Sequence, residues 1–269
     1  MDKRRLHPTP QSRLLSIVVP CLNEEDNLES SINRIFLSAQ ARELSPEVII
    51  VDDGSTDQTF PIAKRLAEEN KDVKVIQLEQ NRGIGRAFWE GVKAANNEFV
   101  VMLPGDDEND PDEVFRYVSL LEHVDLIVPF VMNTATRSLL RRTVSRLYRF
   151  IVNISFGTDF NYTNGTVIYN RSALLTLNAP TNSFFFQTEL VIRLSRNYLY
   201  AEVPHYIRSR SSGRSTAIGI RSLFRVSYAF FKLLLEMHIL RKKGHRLGPF
   251  HIPNVTRTFK RMSVTQRDI

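Results

Sequence analysis

Val48-Ile-Ile-Val-Asp-Asp-Gly-Ser-Thr-Asp57 joins a wholly apolar run to a polar turn rich in carboxylates. Four consecutive aliphatic β-branched residues, with no polar alternation, read as a strand buried on both faces. The turn from Asp52 to Asp57 can cap a helix from Gln58 to Glu69. The same pattern repeats outward. Upstream, Ser16-Ile-Val-Val-Pro20 reads as a strand, and Asn23 can cap a helix with apolar positions at Leu28, Ile32, Ile35 and Phe36. Downstream, Val73 to Leu78 leads through Asn81-Arg-Gly-Ile-Gly85 into a helix ending near Ala95. Phe99 to Leu103 ends in Pro104-Gly-Asp-Asp-Glu-Asn109. Asp110, Pro111 and Glu113 then suit the N-cap, N1 and N3 positions of a capping box, and Val124 to Phe130 is a fifth strand. Alternating apolar strands and helices predict an α/β fold: a mostly parallel sheet with helices on both faces. Its short polar loops fall at strand C-terminal ends, where open sheets of this kind bind ligands.

The second half changes character. Strands are expected at Thr166 to Tyr169 and Tyr200 to Val203, with a helix around Thr188 to Arg196. No Asp or Glu occurs from Leu126 to Gly157 or from Val203 to Leu235, although both stretches carry several Arg. Leu139, Leu140, Val144, Leu147, Tyr148, Ile151 and Val152 recur at helical spacing among Arg141, Arg142, Arg146 and Arg149. Leu223, Phe224, Tyr228, Phe231, Leu234 and Leu235 do the same with Arg221, Arg225 and Lys232. Both patterns suit basic amphipathic helices lying in the interface of an anionic membrane, or packed on the sheet or in a homo-oligomer contact. The division expected is an arm over 1–13, a main domain over 14–215, a C-terminal amphipathic helix over 216–240 and a poorly ordered basic tail over 241–269.

Composition narrows the functional classes. The 269 residues are 42% hydrophobic and 24% charged, which excludes fibrous repeats and wholesale disorder. A net charge of +7 points to a polyanionic partner. The lone Cys21 excludes an intramolecular disulfide framework and a Cys-based zinc cluster, and suggests a reducing compartment. Residues 1–13 lack a signal-type apolar core, and Leu223 to Leu240 carries Arg225, Lys232, Glu236 and His238, too many charges for a bilayer span. The expectation is therefore a cytoplasmic, peripherally membrane-associated protein. Nucleic acid is not expected as the partner, because the Arg residues interleave with aliphatics at helical spacing and no base-stacking motif occurs.

The acidic groups carry the chemistry. Asp52 and Asp53 end one strand; Asp106, Asp107 and Glu108 end another. In a parallel sheet both clusters lie on one rim. Carboxylates packed together are costly unless a cation or donors neutralise them. Mg²⁺ or Mn²⁺ takes one or two carboxylates plus substrate phosphates, so the pairing predicts a metal–diphosphate site. Solvated turns and caps are the plain alternative. Gly83 and Gly85 suit the close approach of a phosphate to a helix N-terminus, and equally a tight turn. Arg86 can pair with a diphosphate or lie on the surface.

Four ordered motifs, Ile17-Val-Val-Pro-Cys-Leu-Asn-Glu-Glu25, Val51-Asp-Asp-Gly-Ser-Thr-Asp57, Asn81-Arg-Gly-Ile-Gly85 and Gly105-Asp-Asp-Glu-Asn-Asp-Pro111, resemble the family 2 glycosyltransferases of GT-A fold. The branch most similar is the dolichol/polyprenyl-phosphate sugar transferases, over roughly residues 14–215. The resemblance implies a nucleotide-sugar donor, a divalent metal and inversion at the anomeric carbon. It implies that Pro20, Leu22, Asn23 and Glu24 line the nucleotide, that Asp52 bonds the base or ribose, and that Asp53 and Gly54 support it. Counting back from Pro111 puts Asp107 at the metal position of the family's D-x-D, with Asp106 assisting or substituting. Arg141, Arg142 and Ser145 resemble the segment that receives a lipid phosphate. Asn164 and Val167 depart from the family's usual D-x-x-S-G-F-R, which leaves a hydroxyl acceptor open, with Glu189 or Asp159 as base. Glu189 can instead simply pair with Arg193. A non-catalytic nucleotide-sugar-binding assembly subunit is the remaining alternative.

Overall fold

A computed structural model describes residues 15–133, 139–183, 185–206, 220–240 and 252–265. Seven strands, β1 (Leu15–Cys21), β2 (Glu47–Asp52), β3 (Val73–Gln77), β4 (Phe99–Met102), β5 (Leu126–Val131), β6 (Ile168–Asn170) and β7 (Tyr200–His205), form one sheet in the order β3-β2-β1-β4-β6-β5-β7. All pairs are parallel except those made by β6, which runs antiparallel between β4 and β5. Every residue of β1 is buried, as a strand covered on both faces requires.

Helices α1 (Leu28–Gln40), α2 (Thr59–Glu69) and α4 (Pro111–Phe115) cover one face. Their Leu28, Ile32, Ile35, Ala63, Leu66, Val114 and Phe115 pack on Ile17, Val19, Ile50 and Leu103. Helices α3 (Ile84–Ala94) and α7 (Phe186–Ser195), with the short α6 (Arg171–Leu174), cover the other. There Phe88, Trp89, Val92, Leu190 and Leu194 meet Val18, Val51, Val100 and Met102. A third layer stacks on α7: α5 (Leu139–Phe156) and α8 (Ile220–Leu235) bury Val152, Phe156, Ala229 and Leu233 against Phe185 and Ile192.

Three expectations are corrected. Asn23 does not cap α1; the helix starts at Leu28 with Asn27 before it, and Asn23 sits at φ +55° with its amide bonded across the rim. Asp110 caps α4 through the Asp112 N–H (3.1 Å) with Pro111 at N1, but Glu113 does not close the capping box. Its carboxylate accepts from the Tyr206 N–H (2.9 Å) and pairs with Arg116 (2.6 Å), because β7 passes close enough to offer a longer-range donor. The tail was expected to be poorly ordered, yet 252–265 includes a docked helix, α9 (Arg257–Thr265). The arm 1–13 and the boundary at 215–216 lie outside the described residues.

The docking of α9 has one anchor. Asp125, fully buried, accepts from the N–H groups of Arg257 (2.7 Å) and Thr258 (2.9 Å) and from the Thr258 hydroxyl (2.5 Å). Thr258 also accepts the Leu199 N–H (2.8 Å), and Arg257 reaches Glu98 (2.6 Å) and the Leu121 carbonyl (2.9 Å). Asp125→Ala strands several buried donors and is expected to cost about 3 kcal/mol. Differential scanning calorimetry checks this; an unchanged melting temperature would show that α9 contributes nothing to stability.

Candidate active site

β1, β2 and β4 are parallel and in register, Cys21 opposite Asp52 and Val18 opposite Met102, so their C-terminal loops gather at one rim. Backbone pairing continues past the strand ends: the Asp53 N–H donates to the Cys21 carbonyl (2.9 Å), and the Gly105 N–H to that of Pro20 (3.0 Å).

Asp52 is fully buried. Its Oδ1 accepts the Ser55 N–H (3.1 Å), whereas Oδ2 is buried without a hydrogen-bond partner. Leaving a buried acceptor unmet costs about 1–3 kcal/mol, more for a charged group. This oxygen therefore suits an incoming N–H or O–H donor. Asp53 has a different job. Its two oxygens accept the N–H groups of Arg82 and Gly83, each at 2.8 Å, and so tie the β3–α3 turn to β2. Burial pushes its carboxyl above the ordinary range, against the pull of those two donors and with a further push from Asp52. Asn23 joins the two loops of the rim: its N–H donates to Ser55 Oγ (2.9 Å), and its Oδ1 accepts the Thr56 N–H (2.9 Å). The Glu24 N–H donates to Thr59 Oγ1 (2.7 Å), and Leu22 lies exposed beside them. Gly54 turns the chain at φ +77°, where a Cβ would lie 2.7 Å from the Gln80 backbone carbon.

The glycines at the start of α3 serve the chain itself. A Cβ on Gly83 would lie 2.6 Å from the Asn182 carbonyl, and one on Gly85 2.4 Å from that of Thr181. The close neighbour is thus the 181–182 backbone. Arg86 pairs with Glu90 at 2.6 Å.

In the acidic turn, Asp106 Oδ1 accepts the Glu108 N–H (3.1 Å). Asp107, at φ +56°, is engaged by α1: Ser30 Oγ donates to its carboxylate (3.1 Å), and Arg34 donates to both its carboxylate and its carbonyl (3.4 Å). Asp107 is the residue that the count from Pro111 makes the leading metal ligand. A guanidinium already neutralises it. Among the described residues no group of three or more His, Cys, Asp or Glu is gathered into a closed cage for a metal. A cation held by one or two carboxylates and completed by a diphosphate needs none, and the 105–108 turn fits that donor set.

On α5, Arg142 has its Nε buried without a hydrogen-bond partner, and Ser145 is half-buried one turn further on. The side chain of Arg141 lies outside the described residues. Glu189 has both oxygens committed: Oε2 accepts the Thr181 N–H (3.0 Å), and Oε1 pairs with Arg193 (2.9 Å), which also bonds Glu236. Asp159 is exposed on a loop pinned by Asn153, which bonds the Phe160 N–H (3.1 Å) and carbonyl (3.0 Å).

Two groups escaped the sequence reading. Ser30 and Arg34 are an i, i+4 pair on α1, and that spacing was the only signal. The hydroxyls of Tyr148 and Thr163 lie 2.7 and 2.8 Å from that of Thr188, which donates to Asn164 Oδ1 (2.9 Å). This chain of contacts joins three segments far apart in sequence and had no local signal.

Burial, and then the carboxylates of Asp52, Glu24, Asp57 and Asp53, push the Cys21 thiol far above its ordinary range. Because the thiolate is the reactive form, iodoacetamide is expected to leave the native chain unlabelled at neutral pH and to label it on unfolding in guanidinium. Mass spectrometry reads the result; rapid native labelling would contradict the closed packing around β1.

The sequence pattern of glycosyl transferase family 2 matches residues 16–177, and the chain belongs to that family. It is 27% identical over 242 residues to the dodecaprenyl-phosphate galacturonate synthase of Rhizobium johnstonii, covering 88% of this chain and 71% of that protein. It is 30% identical over 228 residues to the undecaprenyl-phosphate 4-deoxy-4-formamido-L-arabinose transferase of Proteus mirabilis, covering 84% of this chain and 66% of that one. The chain thus spans just under two thirds of this second relative. Among solved structures, it superimposes on glucosyl-3-phosphoglycerate synthase from Mycobacterium tuberculosis in complex with uridine diphosphate. The TM-score is 0.62 and the identity 23%, covering 82% of this chain and 80% of the other. The expected GT-A architecture is the one found, with β6 as its single antiparallel strand.

Proposed function

We propose that this chain transfers a sugar from a nucleoside-diphosphate sugar to a polyprenyl-type lipid phosphate at a membrane surface. The observation that carries the reading is the rim itself: a buried Asp52 with an unmet acceptor oxygen, in register with the strand that leads to the 105–108 acidic turn. Asp52 takes an N–H of the base or a ribose hydroxyl. Asn23, Glu24 and Asp53 hold the loops that enclose it. Asp106 would hold the Mg²⁺ or Mn²⁺, with Asp107 behind it; a cation there would supply positive charge to neutralise the departing diphosphate.

The lipid-phosphate acceptor is supported by the names of the two relatives and by the unmet Arg142 Nε, a donor suited to phosphate. A phosphate oxygen attacks the anomeric carbon from the side opposite the diphosphate. The new C–O bond forms as the old one breaks, with inversion, giving the nucleoside diphosphate and the glycosyl lipid phosphate. A phosphomonoester is already anionic at neutral pH, so this route needs no protein base. That agrees with Glu189, whose oxygens are both occupied.

A membrane-facing surface is part of the same reading. Leu147, Phe150 and Ile154 of α5 and Phe224, Tyr228 and Phe231 of α8 are all exposed, beside the exposed Arg146, Arg149, Arg225 and Lys232. No described helix is long and apolar enough to cross a membrane. Phosphatidylglycerol vesicles are expected to sediment the protein, and phosphatidylcholine vesicles not. Each basic residue near an anionic surface contributes about 1 kcal/mol. Combining Phe150→Asp with Phe231→Asp should abolish sedimentation; retention by the double variant would count against this surface.

The test of the whole is a thermal-shift panel of UDP, GDP, CDP, ADP and dTDP with and without Mn²⁺, then turnover of the matching nucleotide sugars with undecaprenyl phosphate. A ligand that binds only the folded state raises its melting temperature. The expected result is one metal-dependent stabilising nucleotide and lipid glycosylation. Binding without donor breakdown or transfer would favour a non-catalytic subunit instead.

A further inference from the structure

Helix α5 carries Arg142 and Ser145, yet much of its apolar surface faces outward: Val144, Leu147, Phe150, Ile151 and Ile154 are exposed. Inward it buries Val152 and Phe156 in one cluster with Phe185 and Ile192, and Tyr148 packs on that cluster. Apolar contact is non-directional, so it holds the helix down without fixing its rotation. A hydrogen bond is directional and supplies what packing does not.

The Tyr148 hydroxyl makes that bond, 2.7 Å from Thr188 Oγ1 in α7. Thr188 is fully buried, with Thr163 Oγ1 at 2.8 Å and Asn164 Oδ1 at 2.9 Å. A hydroxyl has one proton to give. Thr188 gives it to Asn164 Oδ1, so it accepts from both Tyr148 and Thr163. Burial pushes the Tyr148 phenol above its ordinary range, against the pull of these three polar neighbours, so it keeps its proton at neutral pH.

This hub is fastened to the framework near the rim. β6 runs antiparallel to β4, with Ile168 opposite Val101, so the chain enters β6 from the end where β4 leaves for the acidic turn. A Cβ on Gly165 would lie 2.9 Å from the Pro129 ring of β5, which keeps the 163–165 segment close against the sheet. Phe186, in the same first turn of α7 as Thr188, packs on Phe88 of α3 with ring centroids 5.6 Å apart. On α5, Ser145 precedes Tyr148 by three residues and Val152 by seven, so all three share the side that faces α7.

We propose that Tyr148 is a positioning residue for the lipid-phosphate acceptor: its bond to Thr188 sets the rotation of α5, and with it the place where Ser145 and Arg142 meet the phosphate. This inference rests on the transferase reading above and adds to it residues outside the quoted family motifs.

The experiment measures initial rates of the full chain with undecaprenyl phosphate and the matching nucleotide sugar, varying each in turn. Tyr148→Phe keeps the ring and removes the hydroxyl. It is expected to raise KM for undecaprenyl phosphate about tenfold, the upper end for one neutral hydrogen bond, and to leave KM for the donor unchanged. Thr188→Val should do the same, and Thr188→Ser, which keeps the hydroxyl, should recover most of the loss. Combining Tyr148→Phe with Thr188→Val should add little to either alone, because both remove one contact. Thermal melts confirm that each variant is folded. An unchanged KM for undecaprenyl phosphate in Tyr148→Phe, or lipid and donor constants that rise together, overturns the proposal. A wild type that glycosylates no undecaprenyl phosphate would instead overturn the transferase reading, and this inference with it.

Discussion

Asp106→Asn is expected to lower sugar transfer about a thousandfold while leaving the melting temperature of the unliganded chain nearly unchanged. The substitution keeps the size of the side chain and removes one negative charge at the cation site. A metal that neutralises a leaving diphosphate contributes several kcal/mol to the transition state, and each 1.36 kcal/mol is a factor of ten. Asp107→Asn should act more mildly, because its carboxylate already serves Arg34 and Ser30. Initial rates with saturating Mn²⁺ distinguish the two. If Asp107→Asn were the dead variant and Asp106→Asn retained transfer within about tenfold, the metal would sit on the other carboxylate.

Asp52→Asn is expected to weaken nucleotide binding about a hundredfold and to leave the free protein as stable as before, or more so. The amide oxygen can still accept the Ser55 N–H, which turns the NH₂ toward the position now held by Oδ2. An incoming N–H would then face a donor. Hydrogen bonds to charged groups contribute about 1.5–3 kcal/mol, and here a favourable contact becomes an opposed one. In the unliganded chain the same change puts a neutral, unpartnered NH₂ where an unpartnered carboxylate oxygen lay, and a neutral group costs less to bury than a charged one. Isothermal titration with the stabilising diphosphate, alongside calorimetric melting, measures both halves. Unchanged affinity would remove Asp52 from the nucleotide site.

Much of this architecture was legible because buried parallel strands announce themselves. Val48-Ile-Ile-Val51 has no polar residue to expose, and Gly54-Ser55 beyond it marks a turn, although the strand itself runs on to Asp52. The partners of β6 were not legible: Ile168–Asn170 pairs with β4 and β5 in neighbouring positions, and nothing local in three residues sets the direction of a strand. The helix α9 was missed because its own sequence is basic and polar, whereas its stability comes from Asp125, far away in sequence. At the rim, the motifs picked out loops that the sheet brings together, but not what each residue bonds there. Asp53 proved to be a strut between loops, and Glu189 an ion-pair partner. Counting from Pro111 selected Asp107, and the engagement of its carboxylate by Ser30 and Arg34 of α1 is a three-dimensional contact that the count does not contain.

The anchoring of α9 also sets an order of events during synthesis on the ribosome. Asp125 begins β5, but the donors that satisfy it belong to Arg257 and Thr258. Until those residues emerge, the nascent chain must either leave this carboxylate wet or bury it without donors, so the lower edge of the sheet stays open. The pairing of β1, β2 and β4 that gathers the rim involves only residues before 110 and does not wait for α9. A chain stalled between these two points would therefore carry its paired central strands while still exposing an unfinished edge to chaperones and proteases.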